Sequence, residues 1–170
     1  MGELGFDYHK AMTEGHGYNE EIARRLRLEG IRCTVPELTL VSSAAEIAHM
    51  TQTDKDIICD DLDLVLEVKS RSIRFTGVIK KFPDWDIIVD TVSGYDKKEV
   101  KPYAYIMISQ VTQETLVVPT SSYPEWTKEK RFDPFRKHWD TFYKCQKDYF
   151  WTWDEFIANL RSLPIHQDLH

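Results

Sequence analysis

Apolar residues recur at helical spacing in the first clearly patterned stretch of the chain. Tyr18, Ile22 and Leu26 stand four residues apart, so they would form one stripe on a helix. Gly30 follows where a helix commonly ends in the left-handed conformation. The pattern predicts a helix over residues 19–29.

The middle of the chain has the pattern of strands separated by turns. Short runs rich in β-branched residues predict strands at residues 31–35, 56–59, 62–68, 86–92, 103–110 and 115–118. Asp60-Asp61 separates the second run from the third, and its short acceptor side chains suit a two-residue hairpin turn. A capping box formed by Ser43 and Glu46 predicts a short helix over residues 44–50.

The last third of the chain is dense in aromatic residues and is predicted to be helical over about residues 126–162. Asp133-Pro134 can supply an N-cap followed by proline, and Thr152-x-x-Glu155 is a second capping box. At helical spacing, one stripe is expected to face the core or a dimer partner, and it is formed by Phe135, Trp139, Phe142 and Tyr143. The alternative for the aromatic residues is stacking on unpaired bases. The alternation of helices and strands predicts a single α/β domain over residues 1–170.

Length and composition agree with one globular domain. The chain has 170 residues, of which 42% are hydrophobic, enough for a core without disulfides or structural metal. Cys33, Cys59 and Cys145 stand far apart and are expected to be buried, reduced side chains. No window approaches 18 uninterrupted apolar residues, so we expect a soluble, cytoplasmic protein with no membrane segment. Motifs of zinc enzymes, nucleotide-binding loops and serine hydrolases are absent.

The net charge of −6 argues against a general nucleic-acid binder, but the charge is unevenly distributed. Residues 1–68 carry 6 basic and 14 acidic side chains, whereas residues 69–101 carry 8 and 5, and residues 127–149 carry 7 and 4. Three lysines just before a predicted core strand are candidates for phosphate contacts, namely Lys97, Lys98 and Lys101. The alternative is that they are ordinary solvated loop residues.

The predicted hairpin carries the candidate chemistry. Alternation along its second strand puts Glu67 and Lys69 on one face. A two-residue turn that pairs Cys59 with Leu62 would place Asp56 on the same face, diagonal to Glu67, with Cβ atoms about 7 to 8 Å apart or less. Two carboxylates suit Mg²⁺ or Mn²⁺, and a neighbouring lysine can orient or help deprotonate a water. This set fits phosphodiester hydrolysis; the alternative is an edge strand with a surface ladder of ion pairs.

These residues resemble the motif of the PD-(D/E)XK nuclease superfamily, which includes restriction enzymes, phage and repair nucleases and Holliday-junction resolvases. Asp56 is followed, after ten residues, by Glu67-Val68-Lys69 in the strand LVLEVK, and a capped helix ending in Leu-Glu-Gly-Ile precedes them. The resemblance covers about residues 15–118. It implies a restriction-endonuclease-like core, with a mixed central β-sheet of about four to five strands flanked by helices. It also implies a Mg²⁺-dependent endo- or exodeoxyribonuclease of small phage or bacterial type, with the metal also bound by the Val68 carbonyl.

The chain departs from the family pattern at two places. Lys55, not proline, precedes Asp56. Many relatives carry a metal-linked glutamate early in the first helix, where Glu20 or Glu21 could serve, although both could equally be first-turn acids that complement the helix dipole. The implied partner is DNA, and a homodimer would suit cleavage of two strands. An RNA- or junction-directed nuclease, and a catalytically silent binding or protein-interaction module with the same fold, are the alternatives.

Overall fold

The computed structural model describes residues 8–37, 55–77, 86–134 and 136–165. In these ranges the helices are α1 (Tyr8–Leu28), α2 (Val92–Lys97) and α3 (Trp153–Ser162). The strands are β1 (Cys33–Thr34), β2 (Ile57–Cys59), β3 (Leu64–Arg71), β4 (Asp86–Thr91), β5 (Ala104–Ser109), β6 (Thr115–Pro119), β7 (Thr127–Asp133) and β8 (His138–Gln146). The helix predicted over residues 44–50 lies outside the described residues.

Helix α1 begins earlier than predicted and ends where the sequence indicates. Gly30 has φ of +81°, a conformation that costs glycine little. Its N–H donates to the Arg27 carbonyl at 3.0 Å, and the Ile31 N–H donates to the Leu26 carbonyl at 3.0 Å. This pair of bonds is the Schellman motif, and the buried Ile31 and Leu26 side chains join the same core cluster. The motif turns the chain directly into β1.

The strands form one five-stranded and one three-stranded sheet. The larger has the order β1-β2-β3-β5-β6, with β3 and β5 parallel and the other neighbours antiparallel, so it is a mixed sheet with β3 at its centre. The smaller has the order β4-β8-β7 and is antiparallel. The chain therefore forms a mixed α/β domain, as predicted.

The five-stranded sheet has a hydrophobic cluster on each face. On one face, Leu66 and Val68 pack with Ile22 and Leu26 of α1 and with Phe156 of α3. The opposite face carries a second cluster that includes side chains of the three-stranded sheet: Tyr105, Met107, Ile87, Val89, Tyr143 and Cys145. Because strand side chains alternate, the residue between Leu66 and Val68 and the residue after Val68 belong to this second face. Glu67 and Lys69 therefore point away from α1.

The predicted two-residue turn of the β2–β3 hairpin is wrong. Cys59 pairs with Leu64, and Ile57 pairs with Leu66, so the loop spans residues 60–63. A two-residue turn of the favoured type needs positive φ at both positions, which the pair Asp60-Asp61 does not favour; instead Asp63 adopts φ of +50°. The shift is two residues, so every side chain keeps its predicted face.

The prediction that the aromatic segment over about residues 126–162 is helical is wrong for its first part. β7 and β8 form a hairpin, and only α3 is an α-helix in the described part of this segment, starting after its predicted cap at Thr152. Phe142 and Tyr143 fit helical spacing, but the burial in β8 alternates, with Tyr143 and Cys145 inward. Asp133-Pro134 lies at the hairpin turn, where the Asp133 carboxylate accepts the Arg136 N–H at 3.1 Å. Asp and Pro favour turns as well as helix starts.

Two further expectations can be compared with the structure. All three cysteines are buried and free, as predicted. In the described ranges, no helix combines the length and the apolar character needed to cross a lipid bilayer.

Two glycines of the N-terminal region should respond oppositely to alanine. Gly30→Ala is expected to lower the free energy of unfolding by about 1 kcal/mol or more, because its φ is positive although nothing crowds the added Cβ. Gly17→Ala, inside α1 and equally uncrowded, should raise it by about 0.5 to 1 kcal/mol. Urea denaturation measures both, and equal changes would contradict the assigned end of α1.

Candidate active site

The pairing of β2 with β3 brings the two predicted acids together. Ile57 lies opposite Leu66, and extending this register by one residue beyond the start of β2 puts Asp56 opposite Glu67. Residues directly opposite in an antiparallel pair have Cβ atoms about 4.5 to 5.5 Å apart, closer than the predicted diagonal arrangement. Lys69 lies two residues after Glu67 on the same strand and therefore on the same face.

Asp56 is held by two hydrogen-bond donors. The Val68 N–H donates to its Oδ2 at 2.9 Å, and the Asn19 side chain of α1 also hydrogen-bonds the carboxylate. Burial and the neighbouring Glu67 nevertheless raise the pKa of Asp56, and these two effects outweigh the two hydrogen bonds and the attraction of the Lys69 charge. In the described ranges, no lysine, arginine or histidine nitrogen lies within ion-pair distance of Asp56. The carboxylate is thus fixed in position but not neutralised.

Glu67 contacts two lysines. Lys69 Nζ lies 2.9 Å from Glu67 Oε1, and Lys98 Nζ lies 3.3 Å from Oε2. The Glu67 side chain is only 15% exposed, so these are not ordinary surface ion pairs. Lys98, predicted as a phosphate-contacting residue, is therefore part of this cluster.

The third carboxylate, Asp90 of β4, was not predicted. Its side chain lies 3.2 Å from Lys98 Nζ and 3.7 Å from Lys69 Nζ, and it accepts the Tyr105 hydroxyl at 3.0 Å. The pairing of β4 with β8 shifts register between Ile88 and Asp90, which marks a β-bulge. Bulges redirect side chains, and this one turns Asp90 inward although simple alternation would group it with Ile88. The signal available in the sequence was an acid at the end of a buried strand.

The charges change one another's protonation. Although burial alone would raise the pKa of Asp90, the Lys69 and Lys98 ammonium groups and the Tyr105 hydroxyl lower it. Burial disfavours the charged form of Lys69, but Glu67 and Asp90 outweigh it and raise its pKa. Burial, helped by Glu67 and Asp90, raises the pKa of Tyr105, which keeps its hydroxyl as a donor. Asp90 and Lys69 therefore each favour the charged form of the other, and Tyr105 remains protonated beside them.

Arg71 follows Glu67 and Lys69 on the same face of β3. Its guanidinium donates to the Ile88 carbonyl at 2.9 Å, which ties β3 to β4 beside the bulge. Because β3 lies between β2 and β5, the alternative of an edge strand with a surface ion-pair ladder does not describe this site. The cluster lies on a central strand, with Asp90 only 8% exposed.

The remaining predicted residues lie apart from the carboxylates. Lys97 is exposed at the end of α2, and Lys101 Nζ lies 4.5 Å over the Tyr95 ring and donates to the Asp96 carbonyl at 3.1 Å. Of the helix acids, Glu20 lies 3.6 Å from His16, and hydrogen bonds from Arg24 and Arg25 lower the pKa of Glu21 to about 2. In α1, Asn19 is the residue that reaches Asp56.

The donor chemistry around Asp56 and Glu67 suits a hard divalent cation. Two carboxylates from adjacent strands face one another, and Mg²⁺ and Mn²⁺ prefer oxygen ligands. A bound divalent cation would offset the repulsion between the two negatively charged carboxylates. Across the described ranges, no group of three or more His, Cys, Asp or Glu side chains has the arrangement of a metal site. Within the described ranges, a backbone carbonyl is the kind of oxygen that could add to the two acids as a ligand.

Comparison of the chain with protein-family models, with curated proteins and with solved structures gives no match. The site must therefore be interpreted from its own residues.

Removing the charge of Asp56 should stabilise the metal-free protein. Asp56→Asn keeps an oxygen for the Val68 N–H but ends the repulsion with Glu67, so we expect the free energy of unfolding to rise by roughly 1 kcal/mol. Urea denaturation in EDTA provides the measurement. Asp60→Asn, in the exposed hairpin loop, is the control and should change stability by less than about 0.5 kcal/mol. Destabilisation by Asp56→Asn would contradict the repulsion.

Proposed function

We propose that this protein is a metal-dependent nuclease of the PD-(D/E)XK type that hydrolyses phosphodiester bonds in DNA. The observation that carries the proposal is the hydrogen bond from the Val68 N–H to Asp56 Oδ2, which holds this carboxylate beside Glu67, with Lys69 two residues after Glu67 on the same strand. Asp56, Glu67 and Lys69 are the three residues of the motif. Asp56 directly precedes β2, whereas Glu67 and Lys69 lie on β3, so their convergence depends on the fold and not on sequence spacing alone.

The burial of the cluster supports a functional role. Half-buried charges lose hydration, and replacing such groups with apolar residues is often neutral or stabilising. Three carboxylates and two lysines nevertheless meet on the central strand, and strongly perturbed titratable groups concentrate at functional sites. A chain selected for stability alone would have little use for two facing acids.

Each residue has a role in the proposed reaction. Asp56 and Glu67 would hold Mg²⁺ or Mn²⁺, with the Val68 carbonyl as a further oxygen ligand. When bound, the ion would lower the pKa of a water and offset charge on the phosphate. Lys69 would orient the attacking water, and Lys98 would attract the negatively charged phosphate of the backbone.

One observation favours a second function, that of a catalytically silent module that binds nucleic acid. Both oxygens of Glu67 already contact lysines, and Lys98 is shared between Glu67 and Asp90. In this alternative the ion pairs are the final state of the cluster, and they stabilise the junction of β3 with α2. Salt-sensitive DNA binding without cleavage would favour this alternative over the nuclease.

Cleavage assays test the nuclease directly. The protein should cut supercoiled plasmid, single-stranded circular DNA or end-labelled linear duplex in Mg²⁺ or Mn²⁺ and not in EDTA, and the circular substrates separate endonuclease from exonuclease activity. Glu67→Gln should lower the rate by more than about 100-fold, because it removes a charged ligand. Lys69→Met should lower it by about 100-fold or more.

The matched control is Glu37→Gln, which makes the same chemical change at an exposed position. It should leave the cleavage rate unchanged. Cleavage that survives EDTA, or that Glu67→Gln leaves intact, would reject the metal mechanism. Preferential cleavage of RNA or of a four-way junction would assign the same site to another substrate.

Metal uptake can be measured without any substrate. Isothermal titration with MnCl₂ should show binding by the unmodified protein, and Asp56→Asn should abolish it because one of two carboxylates is lost. Asp60→Asn should bind Mn²⁺ like the unmodified protein. If the unmodified protein takes up neither Mn²⁺ nor Mg²⁺, the two acids do not form a metal site.

A further inference from the structure

The β7–β8 hairpin has two faces of very different chemistry. Phe132 pairs directly with Trp139, and Lys128 pairs with Tyr143, so alternation defines each face without ambiguity. We name the hairpin inner face by its residues, Lys128, Lys130, Phe132, Trp139, Thr141 and Tyr143. The outer face consists of Thr127, Glu129, Arg131, Asp133, His138, Asp140, Phe142 and Lys144.

Charge is segregated between the two faces. All three acids of the hairpin strands lie on the outer face, where Glu129 contacts both Arg131 and Lys144. The hairpin inner face carries lysines and no acid. Lys128 lies 5.6 Å from the centroid of the Tyr143 ring, and Lys130 lies 6.0 Å from that of Trp139. The inner face is therefore cationic although the whole chain is acidic.

Two aromatic rings at the tip of this face are exposed. Trp139 is 62% exposed and Phe132 is 48% exposed, and their ring centroids lie 5.7 Å apart. The two rings therefore leave apolar surface in contact with water. Exposed apolar patches bordered by charge commonly mark binding surfaces.

The hairpin inner face leads to the candidate active site. Near the base of the hairpin, Tyr143 of this face packs into the cluster that contains Tyr105 and Met107, together with Cys145, two residues further along β8. In the parallel pairing of β3 with β5, Tyr105 is the neighbour of Glu67, and Met107 is the neighbour of Lys69. The exposed tip of the hairpin thus belongs to the layer that faces the carboxylate-bearing side of the five-stranded sheet.

Contacts between rings and lysines connect the two regions. The Tyr95 ring of α2 lies 5.4 Å from the Tyr143 ring, and Lys101 lies over Tyr95. At the end of α2, Lys98 contacts Glu67 and Asp90. Tyr95 and Tyr143 are both buried, and the Tyr143 hydroxyl donates to Asp96 Oδ1 at 2.8 Å. These contacts therefore fix the base of the hairpin against α2, the helix that precedes Lys98.

We propose that the hairpin inner face binds single-stranded DNA, with an unpaired base stacked on Trp139 and the backbone phosphates next to Lys128 and Lys130. Aromatic rings combined with a cationic track are the recurring means of binding single strands, because every base offers a π face. A paired base has no free face for Trp139, so the arrangement selects unpaired DNA. This inference rests on the proposed function, since it assigns the substrate segment next to the cleavage site.

Binding measurements in EDTA test the inference without cleavage. Fluorescence anisotropy of labelled (dT)₂₀ should show binding that Trp139→Leu weakens by about 5- to 100-fold, because leucine keeps an apolar side chain but has no π face. Trp139→Phe should retain most of the affinity. Circular dichroism should show that each variant is folded.

A matched pair of substitutions, one at a lysine and one at an arginine, tests the contribution of positive charge to binding. Lys130→Gln and Arg131→Gln remove one positive charge from neighbouring residues on opposite faces. Lys130→Gln should reduce the slope of log affinity against log salt concentration by about 0.7, the value for one phosphate contact to a single strand. Arg131→Gln should leave the slope unchanged. Equal effects of the two substitutions would overturn the inference.

The remaining outcomes separate this inference from the proposed function. Binding with the expected Trp139 dependence, but without cleavage in Mg²⁺, would retain the inference and reject the nuclease. Cleavage by a protein whose (dT)₂₀ affinity does not change in Trp139→Leu would reject the inference alone. Tighter, Trp139-dependent binding of (U)₂₀ would overturn the assignment to DNA. Dissociation of a dimer by Trp139→Leu, with unchanged (dT)₂₀ affinity, would instead make the tip a protein interface.

Discussion

Electrostatic balance within a half-buried cluster is the constraint on which this site depends. Glu67 and Asp90 share two ammonium groups, those of Lys69 and Lys98, and each lysine contacts both acids. Removing any one member would leave an uncompensated charge in a poorly hydrated place. Asp56 is the exception, since hydrogen bonds position it but no ion pair at contact distance reaches it from the residues that the structure describes. The charges of Glu67 and Asp90 are thus matched by two lysines, whereas the site next to Asp56 could accept a further positive charge.

The packing of the two sheets gives the cluster its geometry. Tyr105 is fully buried in the core between the sheets, and its hydroxyl is the donor that orients Asp90. Arg71 makes a second connection through the Ile88 carbonyl. A side chain fixed by core packing holds its polar end precisely, which a solvated loop residue cannot do. The hydrophobic core and the polar site are therefore built from the same residues.

The sequence revealed those features of the site that depend on strand alternation. Glu67 and Lys69 share a face in any strand that contains both. Asp56 lies on that face both in the predicted pairing of the two strands and in the observed pairing, because these differ by two residues. Asp90 could not be found in this way, because the bulge before it reverses the alternation of β4. The β7–β8 hairpin was missed for a different reason. Trp139 and Tyr143 are four residues apart, a spacing that places two residues on one face of either a helix or a strand, and Asp133-Pro134 suits a turn as well as a helix start.

The four-residue connection between β2 and β3 has a consequence for how this protein could vary. Lengthening or shortening the segment 60–63 by two residues could be absorbed by sliding one strand past the other, with Asp56 still on the face of Glu67. A one-residue insertion or deletion absorbed in that way would instead turn the aspartate toward α1, into the apolar cluster of Leu66 and Val68. Natural or engineered changes of loop length that slide the strands should therefore occur in even steps.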